Sequence, residues 1–459
     1  MFILEGLPPA LKSLLAQEDR RSPIWIVGGA IRDAVLRRRS RDLDFTVAGD
    51  AISLARSSAD RLKAQVYILD DERGAARVLY QAPEGIRHTF DFAQMRGDTL
   101  EADLRDRDFT INAMAVRITA PEEMIDPCGG LQHLRDRMVE LCREDAIRLD
   151  PIRGLRAVRI ASDLNFRISP KVITAIRATR SLEAISAERL RDELFHTLSL
   201  NDPGPAMQLL AHLDLLSLIF NRGAAADTDR GWSFNDRYAM DTALRGFRHA
   251  VAILQLLSSA PDIDSAAQAT LGLLTWELGR FRQPLDHYLH EELSFGRCRR
   301  ALLLLTSFLQ PMAKGMGSQN SSTSEAETTL SQFHPRFESI ATRLRISQDE
   351  LDWMFRWDRA LRHLEKPIDP STSTALMCYR YFRDVRDAGV GAVLSMLAYT
   401  LARQIEPPNA ELWAARLDIA HKLLEAWFEK FNDLVNPPHL IDGHDVMGIL
   451  KIEPGLEVG

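Results

Sequence analysis

Between Ile24 and about Ile118 short apolar runs alternate with polar positions at a period of two: IWIV, DLDFTV, QVYIL, RVLYQ, HTFDFA and NAMAVRI. Helical stretches such as Ala51 to Leu62 separate them, so this part of the chain is predicted to be an α/β domain. From about Leu131 onward the period changes. Leu, Ala and Arg recur at helical spacing with almost no β-branched alternation, which predicts an all-helical remainder. Gly315 to Gln332 is rich in Ser, Thr and Gly without hydrophobic periodicity and is expected to be a mobile loop within that part. The polar stretch Ala224 to Asp236 suggests a subdomain junction, and no internal repeat is evident.

Length and composition narrow the picture. At 459 residues, 46% hydrophobic and 26% charged, the chain has globular proportions and is too long for one core. Its net charge of −7 argues against a wholly basic nucleic-acid coat but leaves room for local arginine clusters. Cys128, Cys142, Cys298 and Cys378 are far apart with no C-x-x-C spacing, which fits reduced thiols and neither a disulfide framework nor a zinc site. The longest nearly apolar run, Ala301 to Ala313, falls short of the roughly 20 residues of a membrane span. The opening residues lack a basic n-region, and the expectation is a cytoplasmic protein with no membrane partner.

The candidate chemistry lies mainly in the first third. After the strand Ile24 to Val27, Gly28-Gly29-Ala30-Ile31-Arg32-Asp33 turns into a helix expected to carry Ala34 to Arg39. Two glycines at such a turn, with Arg32, suit either a tight turn or a phosphate cradle. Asp42 and Asp44 in DLDFTV would share one strand face with Leu43 and Phe45 on the other. A solvated face or a divalent metal would each explain paired carboxylates there, and hard oxygen ligands suit Mg²⁺. Asp91 in HTFDFA could complete a metal triad or pair with an arginine. In Arg105-Asp106-Arg107-Asp108-Phe109-Thr110-Ile111-Asn112, Arg107 could reach a triphosphate while Asp108 or Asn112 pins the backbone. Asp150-Pro151-Ile152-Arg153-Gly154-Leu155-Arg156-Ala157-Val158-Arg159 reads as a helix with Asp150 at the cap and Pro151 at its first position. At about 100° per residue, Arg153 and Arg156 fall near Asp150 and Arg159 on the far side. A carboxylate beside a guanidinium can read the edge of a base.

Taken in order, V-G-G-A-I-R-D, D-L-D-F, R-D-F-T-I-N-A-M-A, D-P-C-G-G at Asp126 to Gly130 and D-P-I-R-G-L-R-A-V-R resemble the class II tRNA nucleotidyltransferase and bacterial poly(A) polymerase family. The resemblance implies an α+β chain: a polymerase beta-like nucleotidyltransferase head with a mixed sheet over 1–140, a helical neck over 141–222, a helical body over 223–400 and a tail over 401–459. It implies attack of an RNA 3′-hydroxyl, that of tRNA, on the α-phosphate of CTP or ATP, with two Mg²⁺ ions on Asp42 and Asp44 and Asp91 as a third acidic position. Gly28, Gly29, Arg32 and Arg107 would then contact the nucleotide's triphosphate and sugar, and Asp150 and Arg153 its base, supported by Arg156 and Arg159.

The pattern also departs from that family. Leu149 precedes Asp150 where many members carry Glu, and E-D-x-x-R occurs instead at Glu144 to Arg148. Only fifteen residues, 92 to 106, separate Asp91 from Arg107, too few for the flexible loop that CCA-adding members carry there, and in this the chain resembles the CC-adding subgroup. The body weakly resembles an HD-type extension, but Gln310-Pro311 and Tyr399 stand where its metal ligands would be, so a scaffold role is expected. His249, His287, His290, His334 and His363 are expected to be surface or packed residues. Leu440 to Met447 resembles a tail motif of the family. Arg297, Arg299 and Arg300, with Arg135, Arg137, Arg143 and Arg148, are the basic clusters expected to face RNA. CCA addition, CC addition, addition of A alone, poly(A) tailing and a non-catalytic RNA-binding role stay open, as do a partner enzyme that completes the end and the oligomeric state.

Overall fold

The computed structural model describes residues 6–83, 85–179, 181–220, 236–258, 269–294, 296–313, 333–366, 373–403, 409–438, 447 and 449. The chain forms two compact units, Met1–Ile185 with His212–Leu215, and Ser186–Ala211 with Leu216–Gly459. Among the described residues no helix is long and apolar enough to cross a membrane.

The first unit is built on a mixed seven-stranded sheet. Its strands are β1 (Ile24–Val27), β2 (Asp42–Val47), β3 (Gln65–Asp70), β4 (Ala75–Gln81), β5 (Arg87–Gln94), β6 (Ala115–Arg117) and β7 (Ala120–Ile125), in the order β3-β4-β5-β2-β1-β6-β7. Only the central β2–β5 pair is parallel; β1 runs antiparallel to both β2 and β6, and β4 to β5. Helix α1 (Pro9–Glu18) leads to the buried Asp19. Its carboxylate accepts the Ile24 N–H at 2.7 Å and pairs with Arg117 at 3.1 Å, which fixes the entry to β1 beside β6. Period two then sorts the side chains: Leu43, Phe45, Phe90, Phe92 and Val78 are buried, with Phe45 and Phe92 stacked at 4.9 Å.

The hairpin strands β4 and β5 carry helix α3 (Ala51–Leu62), which begins where Asp50 accepts the Ser53 N–H at 2.9 Å and ends at left-handed Lys63. Helix α2 (Gly29–Val35) is shorter than the sequence suggests. Leu36 is its C-cap and Arg37 has φ +58, so Arg37, Arg38 and Arg39 form an exposed loop instead of a last turn. A second small core, Val27, Leu100, Leu104, Ala113 and Ala115, ties helix α4 (Leu100–Arg105) to β1 and β6.

Past β7, helix α5 (Gly130–Arg135), the short helix α6 (Ala146–Leu149) and helix α7 (Ile152–Leu164) complete this side of the unit. Met138–Val139 and Arg167–Ile168 form a two-residue parallel pair inside the region expected to be all helical. Helix α7 starts one residue later than the Asp-Pro signal suggests. Pro151 is its N-cap without a side-chain cap bond, and Asp150 is extended at φ −141, closing α6.

Among its described residues the second unit is helical, apart from two short paired segments at Glu292–Ser294 and Arg297–Cys298. Its helices Arg237–Leu256, Arg299–Ala313, Gln348–Glu365, Ala388–Arg403 and Ala410–Phe428 pack on one another around Phe247, Phe308, Trp353, Trp357 and Trp413. The arginines expected on an RNA-facing surface here are structural. Arg297 makes a bidentate bond to buried Glu350 at 2.7 and 2.9 Å. Arg299 is buried, pairs with Glu291 and Asp387, and lies over Tyr288 at 4.8 Å. Arg300 donates to the carbonyls of Leu198, Leu200 and Asn201. A cationic run in sequence thus became internal crosslinks because each fork met an acceptor of its own unit.

At the former HD positions Gln310 is buried and the Tyr399 hydroxyl donates to the Ser307 carbonyl. His249 and His363 are half-buried, and their pKa values are lowered first by that burial, while His287 and His290 are exposed. The Gly315–Gln332 segment, the Ala224–Asp236 stretch apart from Asp236, the His334 side chain, and the tail motif apart from Met447 lie outside the described residues.

Candidate active site

The parallel register of β2 and β5 sets Asp44 directly beside Asp91 and Asp42 beside Thr89. Across β5, the antiparallel β4 sets Arg77 beside Asp91. Cross-strand partners share a face, so one row of the sheet reads Asp44, Asp91, Arg77. Asp42, exposed at the start of β2, and buried Thr46 flank Asp44 on that side.

The two ends of the row differ in how their charge is met. Arg77 grips Asp91 with two hydrogen bonds, Nε to Oδ1 at 2.8 Å and Nη2 to Oδ2 at 2.7 Å. Asp44 has no such fork. Burial first, and the like charge of Asp91 second, push its pKa up to about 6 although Arg107 lies near enough to oppose them. Arg107 is held by the Thr46 hydroxyl at 3.2 Å and by the buried carboxylate of Asp103 at 3.3 Å.

Gly28 closes this corner. At φ +77 it occupies a backbone region that L side chains rarely adopt, and a Cβ there would lie 3.0 Å from Asp44 Oδ2 and 3.4 Å from Arg107 Nη1. Its neighbour Gly29 lies beside the Arg32 guanidinium, which is itself fixed by Asp33 and by Asn112 Oδ1 at 2.9 Å. Asn112 therefore pins a guanidinium, while Asp108 takes the backbone role by accepting the Phe109 N–H at 2.8 Å.

The Arg105–Asn112 segment is joined to α7 in the same unit. Arg153 donates to the carbonyls of Asp106 and Arg107 at 3.2 and 3.5 Å, and Arg156 pairs with Asp108 at 3.0 Å. Arg153, Arg156 and Arg159 are all half-buried, and each step of three turns back by about 60° around α7, so that Arg156 lies between the other two. Asp150 sits one step before this stripe at the α6–α7 junction. The D-P-C-G-G motif has a structural reason. Asp126 accepts the N–H groups of Gly130 and Leu131 at 2.7 and 2.9 Å, and a Cβ on Gly130 would meet the Thr110 carbonyl oxygen at 2.3 Å.

Comparison with known proteins bears on this arrangement. Residues 24–140 match the family described as "Poly A polymerase head domain", and residues 165–226 match "Probable RNA and SrmB-binding site of polymerase A". A CC-adding tRNA nucleotidyltransferase of Geobacter sulfurreducens is 33% identical over 333 residues, 72% of this chain and 69% of that protein. The chain belongs to the tRNA nucleotidyltransferase and poly(A) polymerase family. An A-adding tRNA nucleotidyltransferase of Deinococcus radiodurans is 35% identical over 246 residues, 52% of this chain and 53% of its own length. The fold is also that of a solved structure titled as a CCA-adding enzyme in an apo form. It has a TM-score of 0.59 at 19% identity, covering 99% of this chain and 89% of that one.

Members of this family are nucleotidyltransferases, and Asp42, Asp44, Gly28 and Arg107 lie together within the matched head. Arg77, Thr46 and Asp103 were missed in the sequence. Arg77, the first residue of RVLYQ, could have been found by asking which residue lands opposite Asp91 once β4 and β5 form a hairpin.

Proposed function

We propose that this chain is a template-independent nucleotidyltransferase that extends the 3′ end of tRNA with C, with A, or with both. The observation that carries the reading is the convergence of Asp42, Asp44, Gly28 and Arg107 on one sheet face, with Arg153 and Arg156 of α7 anchored to the segment that supplies Arg107. The reading is supported by tRNA nucleotidyltransferase relatives that add C and that add A.

The residues fit a divalent cation. Asp44 is a poorly hydrated carboxylate beside a second carboxylate, a charge that a hard cation stabilises. Asp42 and Asp44 would hold it, with two Mg²⁺ ions as the finer proposal. Bound there, the metal would neutralise charge developing on the α-phosphate and favour deprotonation of the 3′-hydroxyl. The protein's own groups do the positioning. Gly28 and Gly29 let the triphosphate approach the backbone, and Arg32 and Arg107, each fixed by a carboxylate and a neutral oxygen, supply immobile positive charge. Asp150 and Arg153, with Arg156 and Arg159, would read the base edge, Arg153 keeping its fork oriented through the Asp106 and Arg107 carbonyls. Exposed Arg135, Arg137, Arg143 and Arg148 are proposed for the RNA backbone. The head, neck, body and tail division at 140, 222 and 400 remains part of this proposal, with the helical body as scaffold.

CC addition is favoured by one observation. Between β5 and α4 only Met95 to Thr99 intervene, and Thr99 already caps α4 by accepting the Ala102 N–H at 3.2 Å, so no long flexible loop is present there. The test is incubation with Mg²⁺ and a tRNA transcript ending before CCA, offering CTP, ATP, then both, with product lengths read on a sequencing gel. Two nucleotides from CTP and no third on adding ATP is the expected result. Three would establish complete CCA synthesis, long tails from ATP alone would establish poly(A) tailing, and no extension of this transcript or of one already ending in CC would overturn the catalytic reading.

A further inference from the structure

Three acidic side chains share one face of the β2–β5 pair, yet among the described residues no group of three or more His, Cys, Asp or Glu is disposed to hold a metal ion. The geometry of Arg77 sets Asp91 apart from the other two. Its guanidinium takes one oxygen of Asp91 on Nε and the other on Nη2, at 2.8 and 2.7 Å, so both carboxylate oxygens are already committed to a planar fork. The pair is set from two sides by strand register: Arg77 of β4 lies opposite Asp91 of β5, and Asp91 lies opposite Asp44 of β2. Asp44, in the same row, receives no fork, and Asp42 is exposed at the strand start.

We propose that Arg77 is a positioning residue that holds Asp91 out of the metal set, leaving Asp42 and Asp44 to bind the cation. This inference rests on the nucleotidyltransferase reading of the site. In it, Asp91 acts on the metal only through its charge, and Arg77 compensates that charge. Removing Arg77 frees two hard oxygens one strand away from Asp44, and the site gains a third ligand; ligand charge and count set the affinity of such oxygen sites.

The test is a double-mutant cycle read by Mn²⁺ binding to the full chain without nucleotide, with free Mn²⁺ followed by electron paramagnetic resonance. Asp44→Asn should abolish high-affinity binding. Asp91→Asn alone should weaken it only a few-fold, through lost charge. Arg77→Gln should tighten it by about tenfold, and in that background Asp91→Asn should cost at least about ten times more than it does in the parent chain. Arg77→Lys, which keeps the charge but not the fork, should also tighten binding if the fork is what withholds Asp91. Circular dichroism melts check that each variant is folded.

Additive effects of Asp91→Asn and Arg77→Gln would overturn the proposal, since charge through space would then account for everything. So would an Asp91→Asn loss as large as that of Asp44→Asn, which would make Asp91 a ligand in the parent chain. No Mn²⁺ binding by the parent chain would overturn both this inference and the metal reading of Asp42 and Asp44. Binding lost equally in the Asp44 and Asp91 variants would overturn this inference alone.

Discussion

At Asp44 two effects that disfavour a negative charge, burial and the neighbouring Asp91, outweigh the nearby guanidinium of Arg107 and raise its pKa to about 6. A carboxylate in that setting acts as a ligand when a cation offsets the cost of keeping it charged, whereas Asp91 already has its cation in Arg77. Asp44→Asn keeps the size and polarity of the side chain and removes the charge. We expect it to lower nucleotide transfer by about 10³-fold or more, on the order of 4 kcal/mol of transition-state charge stabilisation. Retention of tRNA in a gel-shift assay would show that the loss lies in chemistry and not in RNA binding. Activity within tenfold of the parent would remove Asp44 from the site. That Asp42 and Asp44 face one way was legible in the sequence because a strand has period two. Which of the three acids is left without a guanidinium was not, because that depends on the partner strand and its register, and Arg77 is fourteen residues before Asp91.

Among the elements, the α5 start shows how a motif can be read correctly as a marker and remain unexplained. Gly130 packs so closely on the Arg105-to-Asn112 side of the site, at the Thr110 carbonyl, that a methyl group would overlap that oxygen at 2.3 Å. Gly130→Ala must push α5 or the Thr110–Asn112 turn away, and Asn112 is the acceptor that orients Arg32. Destabilisation of about 1–3 kcal/mol is expected from such overpacking, together with a rise in KM for the nucleotide as Arg32 loses its support. Urea denaturation and steady-state kinetics measure the two; an unchanged midpoint would mean that the turn yields freely. The strands were legible from their alternation, and α3 from the helical stretch Ala51 to Leu62. The α2 end, the α7 start and the Met138–Val139 pairing were not. Each is decided by a single residue, left-handed Arg37, Pro151 at the cap, or a two-residue strand, on a scale shorter than any periodic signal.

Across the whole molecule the arginines divide by what their own unit offers them. Those of the first unit that flank the site are tied to carboxylates and carbonyls yet remain half-buried, while Arg297 of the second unit is spent on Glu350, a carboxylate only 1% exposed. Burial works against the charge of Glu350, but the Arg297 fork and the Ser347 hydrogen bonds outweigh it and hold its pKa below the ordinary glutamate value. A folded-state pKa below the unfolded one contributes stability that is present above the unfolded value of about 4.3 and is lost as pH falls through the folded value. Glu350→Gln leaves the half-buried Arg297 without its counter-charge, which is expected to cost about 3 kcal/mol at pH 7. Trp353, Trp357 and Trp413, all buried in that unit, report its unfolding by fluorescence in urea. The gap between parent and variant should be widest at pH 7 and should narrow steadily below about pH 4.3, where Glu350 of the unfolded chain takes up a proton first and the folded Glu350 follows at its lower value, coming to resemble the glutamine. A gap that stays constant down to pH 3 would mean that packing, and not the ion pair, holds Glu350 in place, and the basic run at Arg297 to Arg300 would then need another reason for turning inward.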